Sequence, residues 1–208
     1  MFAFFRLSSP WLVISHLMRK KGFWRVEETV QLHKNGWLEV CEDRVIRPDE
    51  QAESFVTVKM RPGVSVLAMD EARQVYLTSE FRYAIERESI EAVSGGVEAD
   101  ELPLSAARRE LREELGIEAA EWTDLGSVDP FTSLVHSPAD LFLARNLSFV
   151  DSHCDGTEII QLVKVKLGEA VRMVMESEIT HGPSCVLILK TNHFLNNEKA
   201  GVFGTGSD

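Results

Sequence analysis

Glu110, Glu113 and Glu114 lie close together in a segment whose other residues are helix-forming. Residues 104–115 carry an apolar stripe at Leu104, Ala107, Leu111 and Leu115. At about 100° per residue, the three carboxylates fall within an arc of roughly 100° beside that stripe. Like charges crowded on one side of a helix repel one another and disfavour it, so the arrangement makes sense when cations sit among them. Hard carboxylate oxygens of this kind suit Mg²⁺ or Mn²⁺. A solvated acidic face with Glu/Arg pairs is the other meaning of such a run. What separates the two is upstream, where Gly95-Gly96 and Glu101 stand at fixed spacings from the helix. Glycines just ahead of such a helix allow tight turns and leave carbonyls free to bind an ion.

Residues 95–117 read GGVEADELPLSAARRELREELGI. This stretch resembles the Nudix box, GX5EX7REUXEEXGU with U aliphatic, at every defined position. A chance match has a probability on the order of 10⁻⁹ per starting point. The resemblance implies a hydrolase that cleaves a nucleoside diphosphate linked to another group, using divalent metal. It implies Glu110, Glu113 and Glu114 as metal-binding carboxylates and the Ser94 carbonyl as a further ligand. Gly95 then belongs to the supporting turn, and Arg109 and Glu101 to an ion pair that orients loop and helix. Gly116 stands where a glycine closing the helix is expected.

The elements that must position these groups are legible as pattern. Residues 24–32 and 37–45 alternate around Lys34-Asn35-Gly36, a hairpin signal. Residues 55–60 and 64–69 flank another turn at Arg61-Pro62-Gly63, and residues 74–78 and 89–93 complete a run of short antiparallel strands ahead of the helix. After it, residues 121–128, 139–147 and 158–165 read as strands and residues 168–176 as a helix. Residues 179–196 read as a second helix with Gly182-Pro183 near its start.

The resemblance extends over most of residues 23–196 and lies with the ADP-ribose pyrophosphatase branch, which also hydrolyses related nucleotide sugars. Glu80-Phe81-Arg82-Tyr83 is similar to that branch's (Q/E)-(Y/F)-R-Y segment. Ile90 to Gly96 is similar to its (L/I)-E-(L/V)-P-A-G-G segment, with Ala92-Val93-Ser94 departing from Leu-Pro-Ala. Arg82 then has the geometry to neutralise substrate phosphates. Glu158 sits where the branch brings a late acidic residue over the metals as catalytic base, with Asp155 and Glu110 as the competing bases. The resemblance implies an α/β/α Nudix sandwich with a mixed sheet, preceded by a small antiparallel β lobe, and two or three Mg²⁺ ions per site. It also implies a homodimer whose active sites borrow from both chains, built through that lobe.

The expected division is an extension over residues 1–22, the β lobe over 23–60, the hydrolase domain over 61–198 and a flexible tail over 199–208. Residues 1–18 are apolar and aromatic but interrupted by Arg6, Pro10 and His16. They form a disordered leader, a packed helix or a stretch ahead of the working start, and not a membrane span. The 208 residues are 44% apolar and 26% charged, an ordinary globular balance, and the net charge of −11 argues against a nucleic-acid backbone as main partner. Cys41, Cys154 and Cys185 fit no metal spacing and point to the reducing cytoplasm. The expected partner is a small nucleotide, ADP-ribose first. Another nucleotide sugar, a dinucleoside polyphosphate, a damaged nucleotide and a catalytically silent ligand sensor are the alternatives.

Overall fold

Period-two patterning in the first third of the chain becomes a set of antiparallel strands. The computed structural model describes residues 18–151 and 160–198, together with the backbone of Leu12–Ser15 and Lys199. The first strands are β1 (Leu12–Ser15), β2 (Arg19–Lys21), β3 (Trp24–Lys34), β4 (Leu38–Ile46) and β5 (Ala52–Met60). β1 and β2 both pair with β3, so pairing begins ahead of Phe23, where the alternation becomes clear in the sequence. Asn35 closes the β3–β4 turn: its Oδ1 accepts the amides of Trp37 at 2.8 Å and Leu38 at 2.9 Å.

The hydrolase core follows with β6 (Gly63–Met69), β7 (Gln74–Arg82), a 3₁₀ turn at Tyr83–Ile85, β8 (Arg87–Glu91) and β9 (Val93–Gly96). Next come α1 (Pro103–Leu115) and β10 (Ile117–Val128). β11 (Val135–His136) follows and pairs in parallel with β5. β12 (Ala139–Phe149), β13 (Gln161–Lys166), α2 (Leu167–Met175) and α3 (Gly182–Lys199) complete the order. The chain divides into two compact units. The first comprises the described residues up to Arg61 with Phe131–Ser137, and the second Pro62–Pro130 with the described residues from Pro138 on. β5 and β6, adjacent in sequence, therefore lie in different sheets.

In the second unit the strand order is β10-β12-β6-β7-β13, with β8 on β7 and β9 on β6. β12 and β6 run parallel and the other pairs antiparallel, which makes the sheet mixed. Both faces of its centre are buried, and alternate residues go to opposite layers. Val64, Val66 and Ala68 of β6 join Phe142 and Ala144 of β12 against Ala106, Ala107 and Leu111 of α1. Leu67, Met69, Leu141 and Leu143 point the other way, to Leu167, Ala170 and Met173 of α2 and Leu187, Ile188 and Leu195 of α3. This is the α/β/α sandwich with a mixed sheet. Among the described residues no helix is long and apolar enough to cross a membrane.

Candidate active site

α1 enters on Pro103, whose missing amide costs nothing in a first turn, and leaves on Gly116 at φ 61°. In that left-handed cap the Gly116 amide donates to Arg112 O at 3.0 Å, which closes the helix directly after the carboxylates. Burial of Ala106, Ala107 and Leu111 fixes the rotation of α1, so Glu110 is turned back towards β9. There the side chain passes over Gly95. A Cβ on Gly95 would stand 1.9 Å from Glu110 Cδ and 2.0 Å from its Oε1, so only a glycine leaves that carboxylate its place.

Arg109 ties the pieces together. Its Nε and Nη2 grip Glu101 at 3.1 and 3.0 Å, and Nη2 also donates to the Gly96 carbonyl at 2.9 Å. Nη1 reaches Glu110 at 2.7 Å and Glu113 at 3.2 Å. The Arg109 hydrogen bonds hold the Glu101 carboxyl below the usual range despite some burial. Burial pushes the Glu110 carboxyl up, and Arg109 only partly offsets it. Glu114 is half-buried, and its charge acts on Arg82.

Ser94 lies in β9 opposite Ser65 of β6. Its hydroxyl is 3.0 Å from Ser65 Oγ and donates to Ala92 O at 2.9 Å. Arg82 ends β7 and is engaged: Nε and Nη2 donate to Glu91 at 3.1 and 2.8 Å, and Nη1 contacts Glu80 at 2.8 Å. The structure thus brings Glu101, Arg109, Glu110, Glu113 and the Gly96 carbonyl into one bonded cluster, with Gly95 packed against Glu110. Glu158 and Asp155, the late acidic candidates, lie outside the described residues.

Among the described residues, no three His, Cys, Asp or Glu side chains converge as a ready-made metal site. The donor set nonetheless has the chemistry of one. Glu110 is a half-buried carboxylate raised by burial and held over a glycine, and Glu113 shares a cation with it, the Arg109 guanidinium. Oxygen donors that gain from a nearby cation suit Mg²⁺ or Mn²⁺.

A family model of the NUDIX domain matches residues 59–176, more than half of the chain. The chain belongs to the Nudix hydrolase family. Its sequence likeness lies with the family's ADP-ribose pyrophosphatase branch. It is 28% identical over 134 residues to the ADP-ribose pyrophosphatase of Bacillus subtilis, covering 64% of this chain and 72% of that protein. An ADP-ribose pyrophosphatase of Mycobacterium tuberculosis is 26% identical over 154 residues, 72% of this chain and 74% of that one. The methanol dehydrogenase activator of Bacillus methanolicus is 24% identical over 163 residues, 77% of this chain and 88% of the relative. A solved structure titled "Crystal structure of ADP compounds hydrolase" superposes with a TM-score of 0.74 at 17% identity, over 88% of this chain and 98% of that one. That last likeness concerns the fold.

Within this Nudix hydrolase, Glu91 stands in the segment similar to the branch's (L/I)-E-(L/V)-P-A-G-G but had no assigned role, and His181 and Ser184 had none either. Glu91 had a signal, a lone carboxylate between Ile90 and Ala92 in a strand where both neighbours are apolar. A buried charge of that kind needs a partner. His181 is half-buried, with its ring turned to Glu91 and Ser184.

Glu91 also sets a pH dependence. Burial would raise its carboxyl, but Arg82 hydrogen bonds and the His181 charge hold it below the usual range, and Glu101 is depressed too. For a depressed carboxyl, stability is present above the unfolded pKa of about 4.3 and is lost as pH falls through the folded value. Urea midpoints are therefore expected to drop from about pH 5 downwards. Glu91→Gln should shallow that slope, and an unchanged slope in the variant would refute the assignment.

Proposed function

We propose that this Nudix hydrolase cleaves the diphosphate of a nucleoside diphosphate sugar. ADP-ribose, split to AMP and ribose 5-phosphate, is the first-choice substrate. The observation that carries the reading is the Glu110 carboxylate seated over Gly95 and bonded to Arg109. It is a half-buried acidic centre held by a cation and a glycine, in a chain whose relatives include two ADP-ribose pyrophosphatases.

Glu110, Glu113, Glu114 and the Ser94 carbonyl would hold Mg²⁺ (or Mn²⁺), two or three ions per site. When bound, such ions lower the pKa of a water and neutralise charge on the diphosphate oxygens. Arg109 and Glu101 keep the carboxylate helix and the Gly96 carbonyl in register. Arg82, pre-oriented by Glu80 and Glu91, presents a fixed positive charge to a substrate phosphate. Glu158 accepts the proton of the attacking water, with Asp155 and Glu110 as the alternatives. The reading includes a homodimer built on the antiparallel lobe, where Phe23, Trp37 and Met60 are exposed apolar side chains. It also includes the cytoplasm, in keeping with the free thiols of Cys41 and Cys185.

The test is hydrolysis of ADP-ribose, other nucleoside diphosphate sugars, NADH, dinucleoside polyphosphates and nucleoside triphosphates, with Mg²⁺ and then Mn²⁺. Light scattering on the same preparation gives the mass. Preferential release of AMP from ADP-ribose, dependent on the added ion, is the expected result. Equal or greater turnover of another class moves the substrate assignment, and no turnover by protein that binds the ion leaves a ligand sensor.

A further inference from the structure

The first turn of α3 is bonded to the strand segment that leads into the Nudix box. Ser184, fully buried, accepts a hydrogen bond from the Ala92 amide at 2.8 Å. Ala92 is buried as well, and its carbonyl accepts the Ser94 hydroxyl at 2.9 Å. Ser184 Oγ keeps a second lone pair and lies 2.8 Å from His181 Nδ1, which donates to it when the ring proton sits on Nδ1. The same ring nitrogen is 3.4 Å from Glu91 Oε2, and Glu91 grips Arg82 with both oxygens. A continuous line of polar contacts therefore runs from Ser94 through Ala92, Ser184, His181 and Glu91 to Arg82. Its two ends are groups that the proposed function sets against the diphosphate and its metal. The buried members, Ala92, Ser184 and Glu91, have no water to turn to, so these links orient them and, through them, the half-buried Ser94, His181 and Arg82.

We propose that Ser184 and His181 are positioning residues for hydrolysis, bracing the Ala92–Ser94 segment and the Glu91–Arg82 pair so that the Ser94 carbonyl and the Arg82 guanidinium keep fixed orientations beside the carboxylate helix. The effect on rate rests on the hydrolase reading, whereas the bracing itself does not. Thr191 supplies an internal control. It lies on the same helix, is equally buried, and its hydroxyl has no hydrogen-bond partner among the described residues.

The experiment compares Ser184→Ala with Thr191→Val in the full chain, reading turnover and amide hydrogen exchange. Ser184→Ala is expected to lower kcat roughly tenfold or more, with KM within about threefold, on the diphosphate that the wild type cleaves best. It should also speed exchange at Ala92–Gly95 by about tenfold or more, while Thr191→Val changes neither. His181 provides the second pair, since its ring is partly exposed and its loss leaves fewer buried groups unpaired. His181→Leu should lower kcat as Ser184→Ala does, and His181→Asn, which keeps a polar atom near the Nδ1 position, should restore most of it. The His181 pair decides the question if Ser184→Ala does not fold. Exchange at Ala92–Gly95 that matches the wild type in Ser184→Ala and His181→Leu overturns the brace, and full kcat in both overturns its positioning role in hydrolysis. A wild type that cleaves no diphosphate overturns the functional reading instead, and the exchange arm still decides whether the brace exists.

Discussion

Glu114→Gln is expected to lower kcat by on the order of 10³-fold while the folded protein is retained. Three carboxylates on one arc of α1 repel one another, so neutralising one relieves the helix rather than weakening it. Glu114 is half-buried and acts on Arg82 through its charge, so the amide removes negative charge where a cation and a phosphate-binding arginine would meet. Gln is nearly isosteric with Glu, which leaves charge as the variable. Turnover with Mg²⁺ and a thermal melt on the same sample check it, together with Mn²⁺ affinity. Near-normal turnover sinks the metal assignment for α1, whereas a collapsed melt assigns Glu114 to the fold instead.

Gly95→Ala and Gly96→Ala are expected to behave differently although the two glycines are adjacent. A Cβ at Gly95 would stand 1.9 Å from Glu110 Cδ and 2.5 Å from its Cγ, whereas one at Gly96 meets nothing within 4 Å among the described residues. The atoms in the way belong to the end of a flexible side chain, so the fold yields by sending Glu110 to another rotamer, at a cost of about 1 kcal/mol. Function bears the larger loss. Glu110 leaves the position where Arg109 holds it at 2.7 Å, and a carboxylate displaced by an ångström or more costs roughly 10²-fold in kcat. Gly96→Ala should stay within about threefold of wild type, since its backbone carbonyl still accepts from Arg109. Steady-state kinetics on both variants reads the contrast, and equal losses would mean that the close approach at Gly95 is not what the site depends on.

The two variants also mark where local sequence stops being sufficient. The three carboxylates and their common face follow from helical geometry alone, because residues three and four apart on a helix are neighbours whatever surrounds them. The α1 stripe of Leu104, Ala107, Leu111 and Leu115 was legible for the same reason, and so was Gly116, whose left-handed cap a side chain resists. Among the described residues most strand ends were read to within a few residues from period-two alternation, although residues 89–93 divide between β8 and β9 and β11 was not read. The break beside Pro62 and Gly63 was legible as the expected boundary between the β lobe and the hydrolase domain, but the return of Val135–His136 to pair with β5 was not.

Tertiary structure decided whatever depends on contacts between residues distant in sequence. That β6 runs parallel to β12, and that β11 leaves the run of the core strands to join β5, are choices of partner that no local pattern encodes. The reason for Gly95 is a side chain on another element, Glu110, and no dihedral preference could have named it. Arg82 was expected to be poised for phosphate, and the fold adds that its guanidinium is already held by Glu91 and Glu80. Ser184 and His181 resemble ordinary polar residues near a helix start until burial puts them against Ala92 and Glu91. Local sequence determined which chemistry the chain carries, because spacing along a helix is covalent. The fold determined which groups are held still for it, because that depends on what burial brings together.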